Sequence, residues 1–167
     1  SLNASSDRMA ALAALHATVT GPQLVITTAN AVLQRTLTPF RVRQLSAHIV
    51  PGSRIERDTI AQLLGANGYA RVDTVADQGE YAVRGSIVDL FPAGEAEGYR
   101  LDFFGDEVET LRRFDPASQR TTGKAEALVL LPATETLLDD AGIKRFRTSY
   151  RDLFGATATG DPLYQAI

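Results

Sequence analysis

Cysteine is absent from the 167 residues, so the chain has no disulfide bond, zinc–thiolate site or thiol nucleophile. Its absence also fits a reducing compartment, and we expect a cytoplasmic protein. No apolar run is long enough to predict a membrane-spanning helix, and no secretory signal pattern occurs. An excess of positive charge is missing too. The net charge of −3 and the pI of 5.4 give the whole chain no electrostatic reason to bind a polyanion.

Catalytic and cofactor motifs are absent as well. The sequence has no Gly-x-x-x-x-Gly-Lys-Ser/Thr loop, no Gly-x-Ser-x-Gly, no His-Glu-x-x-His and no Gly-x-Gly-x-x-Gly. The two histidines, His16 and His48, lie in a predicted helix and a predicted strand, and an isolated histidine is more often structural or solvated than a ligand. We therefore expect no catalytic residue, no bound metal and no cofactor. The composition, 44% hydrophobic and 22% charged, is that of a folded globular protein.

The first of three compositional zones, up to about Pro39, predicts helix, strand and helix. Ser6 can cap a helix over Asp7–Ala17, which carries apolar residues on one side. The apolar, β-branched run Gln23–Thr27 is typical of a strand buried on both faces of a parallel sheet. Helical spacing resumes over Ala29–Gln34. The zone predicts one βα step of an α/β sheet.

The second zone, from Arg41 to about Leu131, predicts a different architecture. A strand over Val42–Val50 is followed by a helix over Ile55–Ala66, which Ser53 can cap and Asn67-Gly68 can end. The strand candidates that follow are Tyr69–Val75, Glu80–Arg84, Ile87–Phe91, Tyr99–Phe104, Val108–Phe114 and Ala127–Leu131. Their short connections favour hairpins, so we predict an α+β domain in which one helix packs on an antiparallel sheet.

The third zone starts at Pro132. An acidic loop over Thr136–Gly142 precedes a predicted helix over Ile143–Phe154. Basic residues on this helix give one route to nucleic-acid binding, which is an alternative function. The basic candidates are Lys144, Arg145, Arg147 and Arg151 on the helix, and Arg112, Arg113 and Arg120 in the second zone. A solvated basic face is the simpler interpretation of both sets.

Strand alternation predicts an outward-facing patch in the second zone. Over Tyr99–Phe104, Arg100, Asp102 and Phe104 share one face. In Glu80–Arg84 the last residue, Arg84, also points outward. If the two strands are neighbours, Arg84, Arg100 and Phe104 lie together, and arginine and aromatic residues dominate interface hot spots. Ordinary surface residues remain the other interpretation of this pattern.

An acidic group near one predicted turn has two interpretations. Its members are Asp102, Asp106, Glu107 and Glu109. They suggest a hard-cation site, but their spacing matches no known metal-binding loop. A hairpin turn at Gly105-Asp106 with solvated flanks is the interpretation we favour.

Longer stretches of the sequence, most of them in the second zone, resemble a known family. The run from Gly79 to Pro92, Gly-Glu-Tyr-Ala-Val-Arg-Gly-Ser-Ile-Val-Asp-Leu-Phe-Pro, resembles a signature of two related bacterial repair families, the UvrB excinuclease proteins and the transcription-repair coupling factors. Tyr99–Glu109 and Phe114–Thr121 continue the match. The flanking segments Val25–Arg35 and Leu130–Glu135 resemble segments in the N-terminal part of the coupling factors. The resemblance covers roughly residues 7–155.

The resemblance implies a domain organisation. Residues 1–41 would be part of a degenerate RecA-like, helicase-like α/β domain, like the first domain of UvrB. Residues 42–131 would be the small UvrA-binding domain inserted into it, and residues 132–167 the return segment. The full-length family protein resembles an ATP-dependent DNA translocase, and the resemblance implies that it also engages RNA polymerase and DNA through other domains. The present sequence contains no motif for those activities.

The resemblance also implies a function and a site. In this family the inserted domain recruits UvrA to transcription-coupled nucleotide excision repair, without catalysis. The family's contact residues match Arg84, Arg100 and Phe104, the residues that alternation places outward. Glu80 and Asp102 are close enough to share this surface, with less support. A purely intramolecular, autoinhibitory role is a further alternative, since another part of the family protein can mask the same surface.

Overall fold

The computed structural model of the chain describes residues 2–135, 140–155 and 160–166. These residues form two compact units, Ser1–Glu135 and Thr136–Ile167, and each is described by itself. In its described residues the first unit contains four helices and eight strands. The helices are α1 (Leu2–Leu15), α2 (Ala29–Leu33), α3 (Pro39–Leu45) and α4 (Arg57–Ala66). The strands are β1 (Ala47–Ile49), β2 (Ala70–Arg71), β3 (Glu80–Arg84), β4 (Ile87–Leu90), β5 (Gly98–Phe104), β6 (Glu107–Phe114), β7 (Thr121–Lys124) and β8 (Leu128–Leu130).

Six of the strands form one sheet in the order β2-β3-β4-β5-β6-β7. The β2–β3 pair is parallel and the other pairs are antiparallel, as expected where consecutive strands are joined by short turns. Strands β1 and β8 pair antiparallel in a separate two-stranded sheet. The predicted α+β class with an antiparallel-dominated sheet is confirmed.

The main hydrophobic core lies between α4 and one face of the large sheet. Helix α4 buries Ile60 and Leu64 completely. The strands contribute Val88 and Leu101, also fully buried, at alternating positions. In β5 the predicted alternation is confirmed, since Tyr99, Leu101 and Phe103 are buried and Phe104 is exposed. The opposite face of the sheet is therefore where polar side chains of β3, β4 and β5 lie.

The two predicted caps are wrong. Helix α4 begins at Arg57, and Ser53 instead accepts a hydrogen bond from the Val50 N–H at 3.0 Å, within the preceding turn. Ser6 lies inside α1, where it is buried and donates to the Ala133 carbonyl at 3.4 Å. Ser53 bonds to backbone before its helix and Ser6 bonds to backbone distant in the sequence, and local sequence signals do not separate either use from capping.

The predicted strand Val42–Val50 is wrong over its first half. That half belongs to α3, which Thr38 caps by accepting from the Arg41 N–H at 3.3 Å, with Pro39 at the first helical position. Val42 packs against α1 instead of joining a sheet. Only Ala47–Ile49 is strand. The Thr-Pro start signal therefore outweighed the β-branched content of this segment.

The predicted buried strand Gln23–Thr27 is also wrong. Residues 23–27 have no regular secondary structure, and Leu24 and Ile26 are 86% and 88% exposed. A doubly buried strand needs a neighbouring strand on at least one side, and none of the described strands pairs with this segment. The helix predicted after it is confirmed, as α2.

The second unit contains α5 (Asp140–Phe154) and α6 (Pro162–Ala166). The helix predicted at Ile143–Phe154 is confirmed, and it begins earlier. The predicted acidic loop Thr136–Gly142 lies outside the described residues at 136–139, and its last residues are helical, not loop. Aromatic rings stack along α5, with centroids 5.2 Å apart for Phe146 and Tyr150 and 4.5 Å apart for Tyr150 and Phe154.

No helix in the described ranges combines the length and the apolarity that crossing a membrane requires.

Tyr69 provides a test of how this core is held together. Its hydroxyl donates to the Leu131 carbonyl at 2.7 Å and accepts from the Ala93 N–H at 3.4 Å, in a side chain that is 5% exposed. We expect Tyr69→Phe to lower the free energy of unfolding by about 2 kcal/mol, because it leaves both backbone groups without their partner. Urea denaturation measures this change.

Alkaline pH gives an independent check on Tyr69. Burial raises the pKa of the Tyr69 hydroxyl above its ordinary value. Its stabilising contribution is therefore complete below the unfolded-state pKa of about 10 and declines as the pH rises towards the folded-state pKa. Tyr69→Phe should reduce the loss of stability above about pH 10. A parent and variant with the same alkaline slope would contradict this assignment.

Candidate protein-interaction surface

The face of the large sheet opposite α4 brings two of the predicted site residues, Arg84 and Arg100, together. Across β4 and β5, Asp89 lies directly opposite Arg100, and across β3 and β4 it lies opposite Ala82. Arg84 follows two residues after Ala82, so its side chain emerges from the same face. The strand order β3-β4-β5 therefore places Arg84 and Arg100 on either side of Asp89.

Asp89 holds both arginines. Its side chain is 1% exposed and accepts from Arg84 Nη2 at 2.6 Å, from Arg100 Nε at 2.7 Å and from Arg100 Nη2 at 2.9 Å. Such bidentate, charge-assisted bonds are among the stronger ones in proteins. The hydrogen bond to Asp89 raises the pKa of the Arg100 guanidinium, against the opposing effect of its burial. The cluster of two cations and one anion carries one net positive charge.

The two arginines differ in exposure. The Arg84 side chain is 51% exposed, whereas that of Arg100 is 18% exposed. The Arg100 guanidinium also lies 5.0 Å from the centre of the Phe114 ring. That ring is fully buried among Val75 and Ala82, so it gives Arg100 a fixed support. Arg84 consequently presents more of its guanidinium to solvent.

Phe104 is the largest exposed apolar side chain on β5, at 78%. It is the last residue of the strand, followed by Gly105, whose φ of 62° makes the turn into β6. The ladder places Arg84 opposite Ile87 and Ile87 opposite Asp102, so Phe104 lies two residues beyond the level of Arg84. The structure thus puts an exposed ring at one end of the arginine cluster.

Glu80 and Asp102 already have partners within the chain. Glu80 Oε2 accepts from the Ala76 and Asp77 N–H groups at 2.8 and 2.9 Å, which holds the loop before β3. Asp102 accepts from Ser86 Oγ at 3.0 Å and from Arg112 Nη2 at 3.3 Å. Both lie on the predicted strands, but their carboxylates are engaged in internal contacts.

The acidic side chains around the β5–β6 turn are not arranged as a metal site. No cluster of three or more acidic or histidine side chains suited to a metal ion is found in the described ranges. Asp102 is paired with Arg112, and Asp106 lies in the turn, where its carbonyl accepts from the Ile55 N–H at 2.8 Å. The arrangement agrees with a hairpin turn.

The candidate basic residues for nucleic-acid binding do not form one patch on the sheet. Arg112 and Arg113 are adjacent in β6 and point to opposite faces. Arg112 pairs with Asp102, and Arg113 lies 5.8 Å from the Tyr99 ring centre. Those of the second unit, Lys144, Arg145, Arg147 and Arg151, lie along α5.

Sequence reasoning missed Asp89. A signal was available, because Asp89 is the one charged residue within Ile87–Leu90, an otherwise apolar strand. Placing it against Arg100 requires the register of two strands, which alternation within one strand does not give.

Comparison with protein-family models places residues 47–135 in a single match, to the UvrB interaction domain. The match extends from β1 through the loop after β8 and contains all five predicted site residues.

Comparison with individual proteins gives similar sequences over most of the chain. The transcription-repair-coupling factor of Escherichia coli (strain K12) is 40% identical over 144 residues, 86% of this chain and 12% of that protein. The corresponding protein of Haemophilus influenzae is 41% identical over 83% of this chain and 12% of that protein. The UvrABC system protein B of Kosmotoga olearia is 28% identical over 80% of this chain and 20% of that protein. The chain thus spans about an eighth of the coupling factors it matches.

Proposed function

Because the chain belongs to the UvrB interaction domain family, we propose that it is a non-catalytic docking module that recruits UvrA in transcription-coupled nucleotide excision repair. The observation that carries this proposal is the cluster of Arg84, Asp89 and Arg100 on a sheet face that also carries the exposed Phe104, four residues along β5 from Arg100. In the full-length relatives, we propose that translocation on DNA and engagement of RNA polymerase belong to segments outside the part that this chain matches.

The proposed contact chemistry follows from the exposed groups. Arg84 gives one N–H to Asp89, which leaves its remaining guanidinium donors for a carboxylate of the partner. Arg100 has committed Nε and Nη2 to Asp89 and contributes mainly charge and support. Phe104 would enter an apolar pocket and exclude water from the arginine contact. The partner surface is therefore expected to be acidic with an apolar recess.

Masking within the full-length relatives is compatible with the same surface. An intramolecular partner would compete with UvrA for Arg84 and Phe104, so docking and masking would be alternative states of one site.

The experiment is a calorimetric titration of the chain with UvrA, for the parent and for Phe104→Ala. We expect the variant to bind at least about tenfold more weakly, because truncating a central aromatic contact typically costs about 2 kcal/mol. Its stability should be unchanged, since the Phe104 side chain is already 78% exposed. Phe40→Ala is the matched control, because Phe40 is 67% exposed and belongs to α3, not to either sheet.

The outcomes separate three cases. Weaker binding for Phe104→Ala alone supports docking through this surface. Equal losses for Phe104→Ala and Phe40→Ala would point to a nonspecific apolar effect. A parent chain that does not bind UvrA would refute the proposed function.

A further inference from the structure

We infer that Asp89 is the positioning residue of the docking surface: it fixes the two arginines in the geometry that a partner meets. The inference rests on the proposed function for its consequence in binding, and on the structure for its geometry. Asp89 occupies the middle of β4, with β3 on one side and β5 on the other. It is the residue through which the arginines of those two strands are connected.

The Asp89 carboxylate is a buried charge. A carboxylate that is 1% exposed loses nearly all of its hydration, and that loss is offset only by close, well-directed partners. Asp89 has three such bonds, which use both of its oxygens. Its strand neighbours Val88 and Leu90 are apolar and buried. Since replacing a buried ion pair by apolar residues is often neutral or stabilising, stability alone gives little reason for an aspartate here.

Asp89 also fixes the positions of the two arginine side chains. Two guanidinium groups on one sheet face repel each other, and long side chains lose rotamer freedom when a partner immobilises them. Asp89 neutralises one of the two charges and binds both side chains before any partner arrives. Arg84 is anchored through Nη2 while half of its side chain stays exposed. A partner carboxylate therefore meets an arginine whose position is already set, which reduces the ordering cost of binding.

The first test needs no partner and no substitution. In the NMR spectrum of the unmodified chain, we expect a slowly exchanging Nε–Hε signal for Arg100, whose Nε donates to Asp89, and restricted side-chain motion for Arg84, which is held through Nη2. Arg71, which is exposed on β2, supplies the reference signal of an exposed arginine. An Arg84 signal as mobile as that of Arg71 would overturn the positioning role, even if Asp89→Asn failed to fold.

The second test is a double-variant cycle with UvrA as the probe. We expect Asp89→Asn to weaken binding about tenfold in the parent and less than about threefold in an Arg84→Ala background. Asp58→Asn is the control, since Asp58 also pairs with an arginine, Arg57, but is 70% exposed on α4. Circular dichroism establishes that each variant is folded.

The results distinguish this inference from the proposed function. Fully additive effects of Asp89→Asn and Arg84→Ala would overturn the positioning role while leaving UvrA docking intact. A parent chain that fails to bind UvrA would remove the proposed function, and the NMR signals of Arg84 would still decide whether Asp89 holds it. Coupled losses together with an ordered Arg84 support both.

Discussion

Arg100→Ala is expected to lower the free energy of unfolding by about 3 kcal/mol, and Arg84→Ala by less than about 1 kcal/mol. The difference arises from what each substitution leaves behind. Without Arg100, the buried Asp89 carboxylate loses two of its three hydrogen bonds and cannot move to solvent. Without Arg84 it keeps the bidentate pair with Arg100. The half-exposed Arg84 side chain is also well screened by water, so its pairing contributes less to stability.

The effects of the same two variants on UvrA binding are expected to differ from their effects on stability. Arg84→Ala should weaken UvrA binding about thirtyfold, a cost of about 2 kcal/mol, in a protein that is otherwise stable. Arg100→Ala should lose both stability and binding. Urea denaturation and calorimetric titration measure the two quantities. Arg113→Ala is the control for binding, because Arg113 lies on the other face of β6.

Equal stability losses for Arg84→Ala and Arg100→Ala would contradict the unequal roles derived from their exposure. Unchanged binding for Arg84→Ala would move the proposed contact away from this cluster. A loss of binding for Arg113→Ala as large as for Arg84→Ala would indicate that positive charge in general, rather than this site, attracts the partner.

The outward placement of Arg100 and Phe104 was predictable from the sequence. Period-two alternation depends only on residues within one strand, and β5 alternates cleanly between buried Tyr99, Leu101 and Phe103 and less buried positions. The strand pairing that brings Arg84 near Arg100 was predicted only as a condition. It depends on register between strands, which short hairpin turns favour but do not specify residue by residue.

The missed strand β7 and the wrongly predicted strand at residues 23–27 have the same cause. Strand β7 (Thr121–Lys124) is exposed at every residue, so it has no apolar pattern to detect and exists through pairing with β6. The apolar run at 23–27 has the opposite problem, since its composition predicts a strand while no described strand pairs with it. In both cases the presence of a neighbouring strand decides the structure, and composition does not carry that information.

Asp89 was missed for a related reason. Its sequence context is apolar, and a charged residue in such a strand has no function that its own strand reveals. Only the ladder, which sets Asp89 opposite Arg100, gives the carboxylate its partner. The proposed contact residues could thus be predicted from pattern and resemblance, whereas Asp89, which pairs with both arginines, could be found only from the structure.

Gly98→Ala is expected to destabilise the fold by about 2 kcal/mol, although alanine is compatible with a strand. Gly98 lies directly opposite Phe114 in the β5–β6 ladder, and a Cβ at this position would overlap the Phe114 ring. The ring is fully buried among Val75 and Ala82, so it has little room to shift. Urea denaturation of the variant and the parent measures the cost.

Gly123→Ala is the matched control for this prediction. Gly123 lies in β7, and a Cβ there would meet no atom within 4 Å, so its substitution should change stability by no more than about 0.5 kcal/mol. Similar losses for both variants would show that the strands tolerate alanine poorly in general. Adding Phe114→Leu to Gly98→Ala should recover part of the stability, because the smaller side chain vacates the space that the Cβ requires.

Gly98→Ala should also weaken UvrA binding, although Gly98 is not one of the proposed contact residues. The Phe114 ring supports the Arg100 guanidinium at 5.0 Å, and Arg100 in turn holds Asp89 through two hydrogen bonds. A ring displaced by the Gly98→Ala methyl group would shift Arg100, and with it the anchor of Arg84. We therefore expect Gly98→Ala to bind UvrA about tenfold more weakly at a temperature where it is fully folded, whereas Gly123→Ala binds like the parent. Unchanged binding by folded Gly98→Ala would mean that the geometry of the arginine cluster does not depend on its support from Phe114.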